Sequence, residues 1–264
     1  MDKKVLYGVV GVCLVFCVLM AGCTGTQNSD KKPYIVGIDG EYPPYSYIDE
    51  SGKAVGFDVE SIQWIAAQNG FAVEIKPVAW DGIIPALQQG KIDMVYSGMT
   101  ITPERQAKAD FSNLYWTVNQ GIAVREDSTL TKEQVLSGNV LIGTQRGCSA
   151  HTWLDDNLNG TQMVKDGKLK LYDSFPLSLV DLQNKGVDAV IFDDINIENH
   201  IQGKPLTMLG IIETGEQYGV AVRKGDNETL KVINDGLAQL QASPKWQELI
   251  DKYLITHEGE EATA

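Results

Sequence analysis

The stretch LQQGKIDMVYSG, Leu87 to Gly98, returns 95 positions later and without a gap as LQNKGVDAVIFD, Leu182 to Asp193. Each copy reads as a helix end, a polar turn, an acidic residue and an apolar strand. In front of the first copy stand a strand (YIVGID, from Tyr34), a helix (GFDVESIQWIAAQNGF), a strand (AVEIKPV) and a helix (WDGIIPALQQGK). In front of the second stand VLIGTQRG, AHTWLDDNL, KLYDSF and LSLVDLQNKG, which read as strand, helix, strand and helix. Such alternation builds α/β folds with largely parallel sheets. The repeat is therefore the last helix-strand step of two similarly built domains, and its shared Leu, Gln, Asp and Val are expected to serve a common scaffold. Asp58 and Asp81 are expected to cap helices, with Gly70 and Gly90 ending them.

A second pair of phrases joins these halves. NLYWTVNQGIAVRED (Asn113 to Asp127) and IIETGEQYGVAVRKG (Ile211 to Gly225) share a core and read as extended segments crossing from one unit to the other. A two-strand hinge results, with a discontinuous first domain of residues 34–121 plus 219–256 and a second domain of residues 122–218. Two amphipathic helices close the first domain, and residues 257–264 read as a disordered tail.

The N-terminus is read apart from the fold. Residues 1–22 carry two lysines followed by an apolar run, the layout of a secretory signal. Residues 23–33 read as a flexible linker. Of four cysteines only Cys148 falls in the folded part, which excludes an intramolecular disulfide there. A net charge of −13 speaks against nucleic acid, which demands clustered Lys and Arg. The three histidines, His151, His200 and His257, show no metal spacing, and neither a metal nor a cofactor is expected.

In open α/β sheets ligands gather beyond the carboxyl ends of strands. Past the first copy, Thr102 and Pro103 suit a helix start and place Arg105 in its first turn, where free N–H groups and Thr100 favour an anion such as a carboxylate. The second copy ends on Asp193, which either caps the helix INIENHI or faces a cleft and holds an ammonium group. Taken together, Arg105 and Asp193 match the two charges of a zwitterion.

Together GIDGEYPPYSYID, GKAVGFDVESI, AWDGIIPALQQGKIDMVYSGMTITPERQAKADFSNLYW and VDAVIFDD resemble the extracytoplasmic binding proteins of polar amino-acid ABC transporters (family 3) from about Tyr34 to Leu254, most specifically at SGMTITPERQ. The resemblance implies a periplasmic-binding-protein fold of type II. It implies that Arg105 binds the ligand α-carboxylate, helped by Thr100 and the Ser149 backbone. Asp193 is implied to bind the α-ammonium, helped by the Gly98 carbonyl and the Thr100 hydroxyl. Tyr42 and Trp80 match rings that enclose the ligand side chain, Asp39 an aspartate that contacts it, and Gln145 a position that is lysine in some glutamine-binding relatives. LMAGC resembles a lipoprotein signal with Cys23 as the lipid-modified residue, Met20 being a departure, and retention of the N-terminal helix is the other possible anchor.

The implied function is extracytoplasmic capture of an amino acid by a membrane-anchored monomer that delivers it to a permease. Acidic and aromatic residues favour arginine, lysine or histidine, with glutamine or another polar amino acid the alternative. Two other readings stand beside it: a dehydratase-like enzyme on the same scaffold, with Glu41 as its acid or base, and an amino-acid sensor. A Cys148–His151 nucleophile lacks an orienting third group.

Overall fold

The computed structural model describes residues 32–254. The signal segment, Cys23, His257 and the C-terminal tail lie outside the described residues. Among the described residues no helix is long and apolar enough to cross a membrane.

The two copies of the opening phrase enter two separate five-stranded sheets, each as the middle strand. The first sheet runs Val73–Pro77, Tyr34–Ile38, Met94–Val95, Ala221–Arg223, Ala109–Phe111; the second runs Leu169–Tyr172, Ile142–Gln145, Ala189–Asp193, Trp116–Arg125, Leu206–Tyr218. In both, the first three strands are parallel and the fourth is antiparallel to the third. The protein is thus α/β with two similar domains.

Of the shared residues, Leu, Asp and Val take equivalent places in both copies, whereas Gln88 is exposed and bonds to the Lys108 carbonyl. Asp93 exchanges two bonds with Ile35: its N–H donates to the Ile35 carbonyl at 2.7 Å, and its carboxylate accepts the Ile35 N–H at 2.8 Å. Asp188 does the same with Leu141, at 2.7 and 2.9 Å. Each aspartate therefore pins the entry of its strand to the neighbouring parallel strand. Leu87, Leu182, Val95 and Val190 are all fully buried beneath these strands.

Trp116–Arg125 and Leu206–Tyr218 pair antiparallel along their length and carry the chain between the sheets. Register is lost between Ile212 and Glu216, a bulge that includes Gly215 at φ +60°. Bulges bend a strand and re-aim its side chains.

Two helix starts differ from the expectation. The helix Phe57–Asn69 is capped by Gly56, at φ +124°, where a Cβ would meet the Tyr45 carbonyl oxygen at 2.3 Å. Asp58 is thereby moved into the first turn and turned inward, away from a capping role. The helix Trp80–Gln88 begins from Ala79, so Asp81 is its second residue and not its cap. Thr102, in contrast, caps Pro103–Gln106 as read, its hydroxyl accepting the Arg105 N–H at 3.2 Å. Residues 41–55 form a small antiparallel sheet of Glu41–Tyr42, Ser46–Ile48 and Ala54–Val55.

Candidate ligand-binding site

All nine residues singled out from the sequence line one enclosed space of about 10 Å³, together with Cys148 and Phe192. Asp39 and Gly98 follow strand ends of the first sheet, and Gln145 and Asp193 are themselves strand ends of the second. The space lies where the carboxyl ends of both sheets converge, the place at which open α/β sheets leave loops and helix N-termini exposed.

Arg105 is 9% exposed, and its guanidinium meets neutral groups. Nη1 donates to the Thr100 carbonyl at 2.8 Å, Nη2 donates to the Gly147 carbonyl at 3.1 Å, and the Trp80 ring lies 5.3 Å away. Trp80 also donates its indole N–H to Gly147 at 3.1 Å. One ring face of Trp80 is therefore used on Arg105, which narrows its role as a wall for a ligand side chain. Burial lowers the Arg105 pKa, opposed by the nearby Cys148, Asp193 and Glu216. These two bonds use two of the guanidinium's five N–H donors.

Asp193 occupies the cap position of the helix Asp194–Ile201, yet its side chain makes no capping bond. It turns into the cleft, 5% exposed, and accepts from Gln120 Nε2 at 2.6 Å, from Tyr218 Oη at 3.0 Å, from Ser149 Oγ at 3.4 Å and from Tyr42 Oη. Tyr42 and Tyr218 also touch each other, oxygen to oxygen, at 2.6 Å. Burial first and Glu216 second hold the Asp193 carboxyl well above the usual carboxylate range.

Asp39 accepts the Glu41 N–H at 2.9 Å, closing a turn, and with its other oxygen accepts Gln145 Nε2 at 3.1 Å. Burial raises its pKa. Gly98 adopts φ +52°, and a Cβ there would meet the Tyr42 ring at 2.4 Å and the Tyr218 ring at 3.0 Å. Its N–H donates to Asp58 at 2.6 Å, a fully buried carboxylate that also accepts Tyr115 Oη at 2.9 Å. Burial pushes Asp58 up to about 8.

Cys148 caps the helix Ser149–Leu158, its sulfur accepting the His151 backbone N–H at 3.4 Å. Burial pushes its thiol up to about 11, and a neutral thiol is a poor nucleophile. The His151 ring instead accepts the Gly147 N–H through Nδ1 at 3.3 Å. Among the described residues no group of three or more His, Cys, Asp or Glu could hold a metal ion.

Three residues that hydrogen-bond to the lining were missed: Gln120 and Tyr218, which donate to Asp193, and Glu216, which accepts from Thr100. All three lie in the paired crossing phrases, inside NQG and GEQYG. The available signal was positional, since polar residues embedded in strands that join two domains face the cleft between them.

These features define a two-domain α/β solute-binding fold with its site between the sheets. Residues 34–256 match the bacterial extracellular solute-binding proteins, family 3, and the chain belongs to that family. It is 31% identical to a probable histidine-binding protein of Neisseria gonorrhoeae, over 96% of this chain and 97% of that one. It is 30% identical to the L-cystine-binding protein TcyJ of Escherichia coli K12, over 96% of each. An ancestral arginine-binding protein solved with arginine superposes with a TM-score of 0.77 at 34% identity, covering 85% of this chain and 99% of the other.

Proposed function

We propose that this protein captures an L-amino acid outside the cytoplasm, in the cleft between two domains, and delivers it to an ABC importer. The observation that carries the reading is that Arg105, after a strand end of the first sheet, and Asp193, at a strand end of the second, line one small space. Burying a zwitterion is costly unless both charges are paired, and each domain supplies one partner. The nine lining residues named above form the ligand site, with domain 1 at residues 34–121 plus 219–256 and domain 2 at residues 122–218.

A space of about 10 Å³ holds roughly one water, so entry of an amino acid requires the domains to part. A ligand that bridges both domains then binds the closed form better and shifts the hinge toward it. Asp39 favours a cationic side chain, and arginine, lysine or histidine is the preferred cargo. The protein acts as a monomer, held to the outer membrane face by a lipid on Cys23 or by its N-terminal helix. It is a binding protein and not an enzyme: Glu41, the acid available to an enzymatic reading, is exposed and not among the residues that line the space.

Titration calorimetry with the common L-amino acids tests this reading. Saturable 1:1 binding of a basic amino acid, recovered unchanged, is expected. Conversion of the ligand, or no binding by any amino acid, overturns it.

A further inference from the structure

Thr100 stands between the two grips, and a hydroxyl has a single proton to give. In the structure that proton is committed: Thr100 Oγ1 donates to Glu216 Oε2 at 2.9 Å. The hydroxyl is the donor in this bond and the carboxylate oxygen the acceptor. Glu216 is brought there by the bulge that follows Ile212 in the crossing strand. Its other oxygen accepts Gln120 Nε2 at 2.9 Å, the same amide that donates to Asp193 at 2.6 Å. Glu216 thus ties the loop of the first domain to the carboxylate at the strand end of the second.

We infer that Glu216 is a positioning residue that sets the polarity of Thr100, taking its proton so that Oγ1 can only accept, and thereby assigning Thr100 to the ligand's α-ammonium and not to its carboxylate. This rests on the amino-acid reading above. The same carboxylate deepens the negative field on the ammonium side, where it raises the Asp193 pKa, while Arg105 alone carries positive charge among the residues lining the space.

Glu216→Gln keeps the shape and reverses the polarity. Gln120 Nε2, held by Asp193 and Ser149, still faces position 216, and a donor does not face a donor, so the new amide oxygen stays toward Gln120 and its NH2 group turns toward Thr100. Thr100 must then accept from that amide, and its own proton points at the ligand. The test is titration of L-arginine and of its des-amino analogue, which keeps the carboxylate and guanidinium and lacks the ammonium. If the wild type prefers lysine or histidine, that amino acid and its des-amino analogue take their place. Wild type, E216Q, T100V and the double variant are compared, with unfolding temperatures measured alongside.

E216Q is expected to weaken the amino acid about tenfold or more and to leave the analogue within about threefold, shrinking the preference for an ammonium. In the T100V background most of that loss is expected to vanish, because the two residues act in series. Equal weakening of both ligands by E216Q, or a full E216Q effect without the Thr100 hydroxyl, overturns the inference and leaves amino-acid binding intact. A wild type that binds no amino acid overturns both.

Discussion

The two strand ends begin from the same phrase and finish as opposite devices. Up to the strands the equivalent residues do equivalent jobs, since Asp93 and Asp188 pin the strands and the paired Leu and Val fill the cores. Beyond the strands, Gly98 clears space for the Tyr42 ring and starts a loop that carries a cation, whereas Asp193 itself turns into the space. The positive end stands on a single guanidinium. The negative end is a network of Asp193, Glu216, Gln120 and two tyrosines. The two copies thus agree in what each sheet requires and differ at the strand end.

The sharpest way to break this comparison is to remove each end in turn. Arg105→Ala is expected to cost about 4 kcal/mol of ligand affinity, roughly a thousandfold, because it leaves the ligand carboxylate buried without a cation. Asp193→Ala is expected to cost less, about 2–3 kcal/mol, since Glu216 remains near the ammonium. Titration calorimetry reads both, and a loss of threefold or less in either variant would end the two-grip description.

Gly98→Ala addresses the point where the copies diverge. A Cβ 2.4 Å from the Tyr42 ring, at φ +52°, is expected to cost about 1–3 kcal/mol in unfolding free energy and to displace Tyr42 from Asp193. A variant as stable as the wild type by denaturant unfolding, with unchanged affinity, would show that the glycine is incidental.

The negative end is also expected to titrate. Asp193 is raised well above the usual carboxylate range, and an ammonium requires it ionised. Affinity should therefore rise with pH through neutrality, with a proton released on binding, measurable by titration in buffers of different ionisation enthalpy. Binding that is independent of pH below neutrality would contradict it.

Stability of the unliganded fold should move the other way. Asp58 ionises near 3.8 in the unfolded chain and near 8 when folded, so between these the folded form holds a proton that the unfolded form lacks. Its contribution is fully present below the unfolded pKa and lost as pH rises through 8. Asp58→Asn, which resembles the neutral acid, is expected to flatten that part of the stability profile and to change ligand affinity least of all. An unaltered slope in thermal unfolding between acid and alkaline pH would show that Asp58 does not set it.

The repeat itself made the two-domain α/β architecture legible, because hydrophobic periodicity and its β-rich strands are local properties that survive without contacts. Thr102, Pro103 and Arg105 were legible for the same reason: a cap and a first-turn residue are fixed by neighbours three positions away. Asp58 and Asp81 were misread because a glycine and an alanine took the cap positions, a choice decided for Gly56 by the approach of the Tyr45 backbone. The contacts among Gln120, Glu216 and Tyr218 could not be read from sequence. They face Asp193 and Thr100 only because two strands nearly a hundred residues apart pair with a bulge between them. The sequence alone determined which charges the protein carries at its two strand ends. Tertiary structure decided that those charges line one space, since convergence of two sheets depends on long-range packing and on the register of the crossing strands, neither of which is written in local spacing.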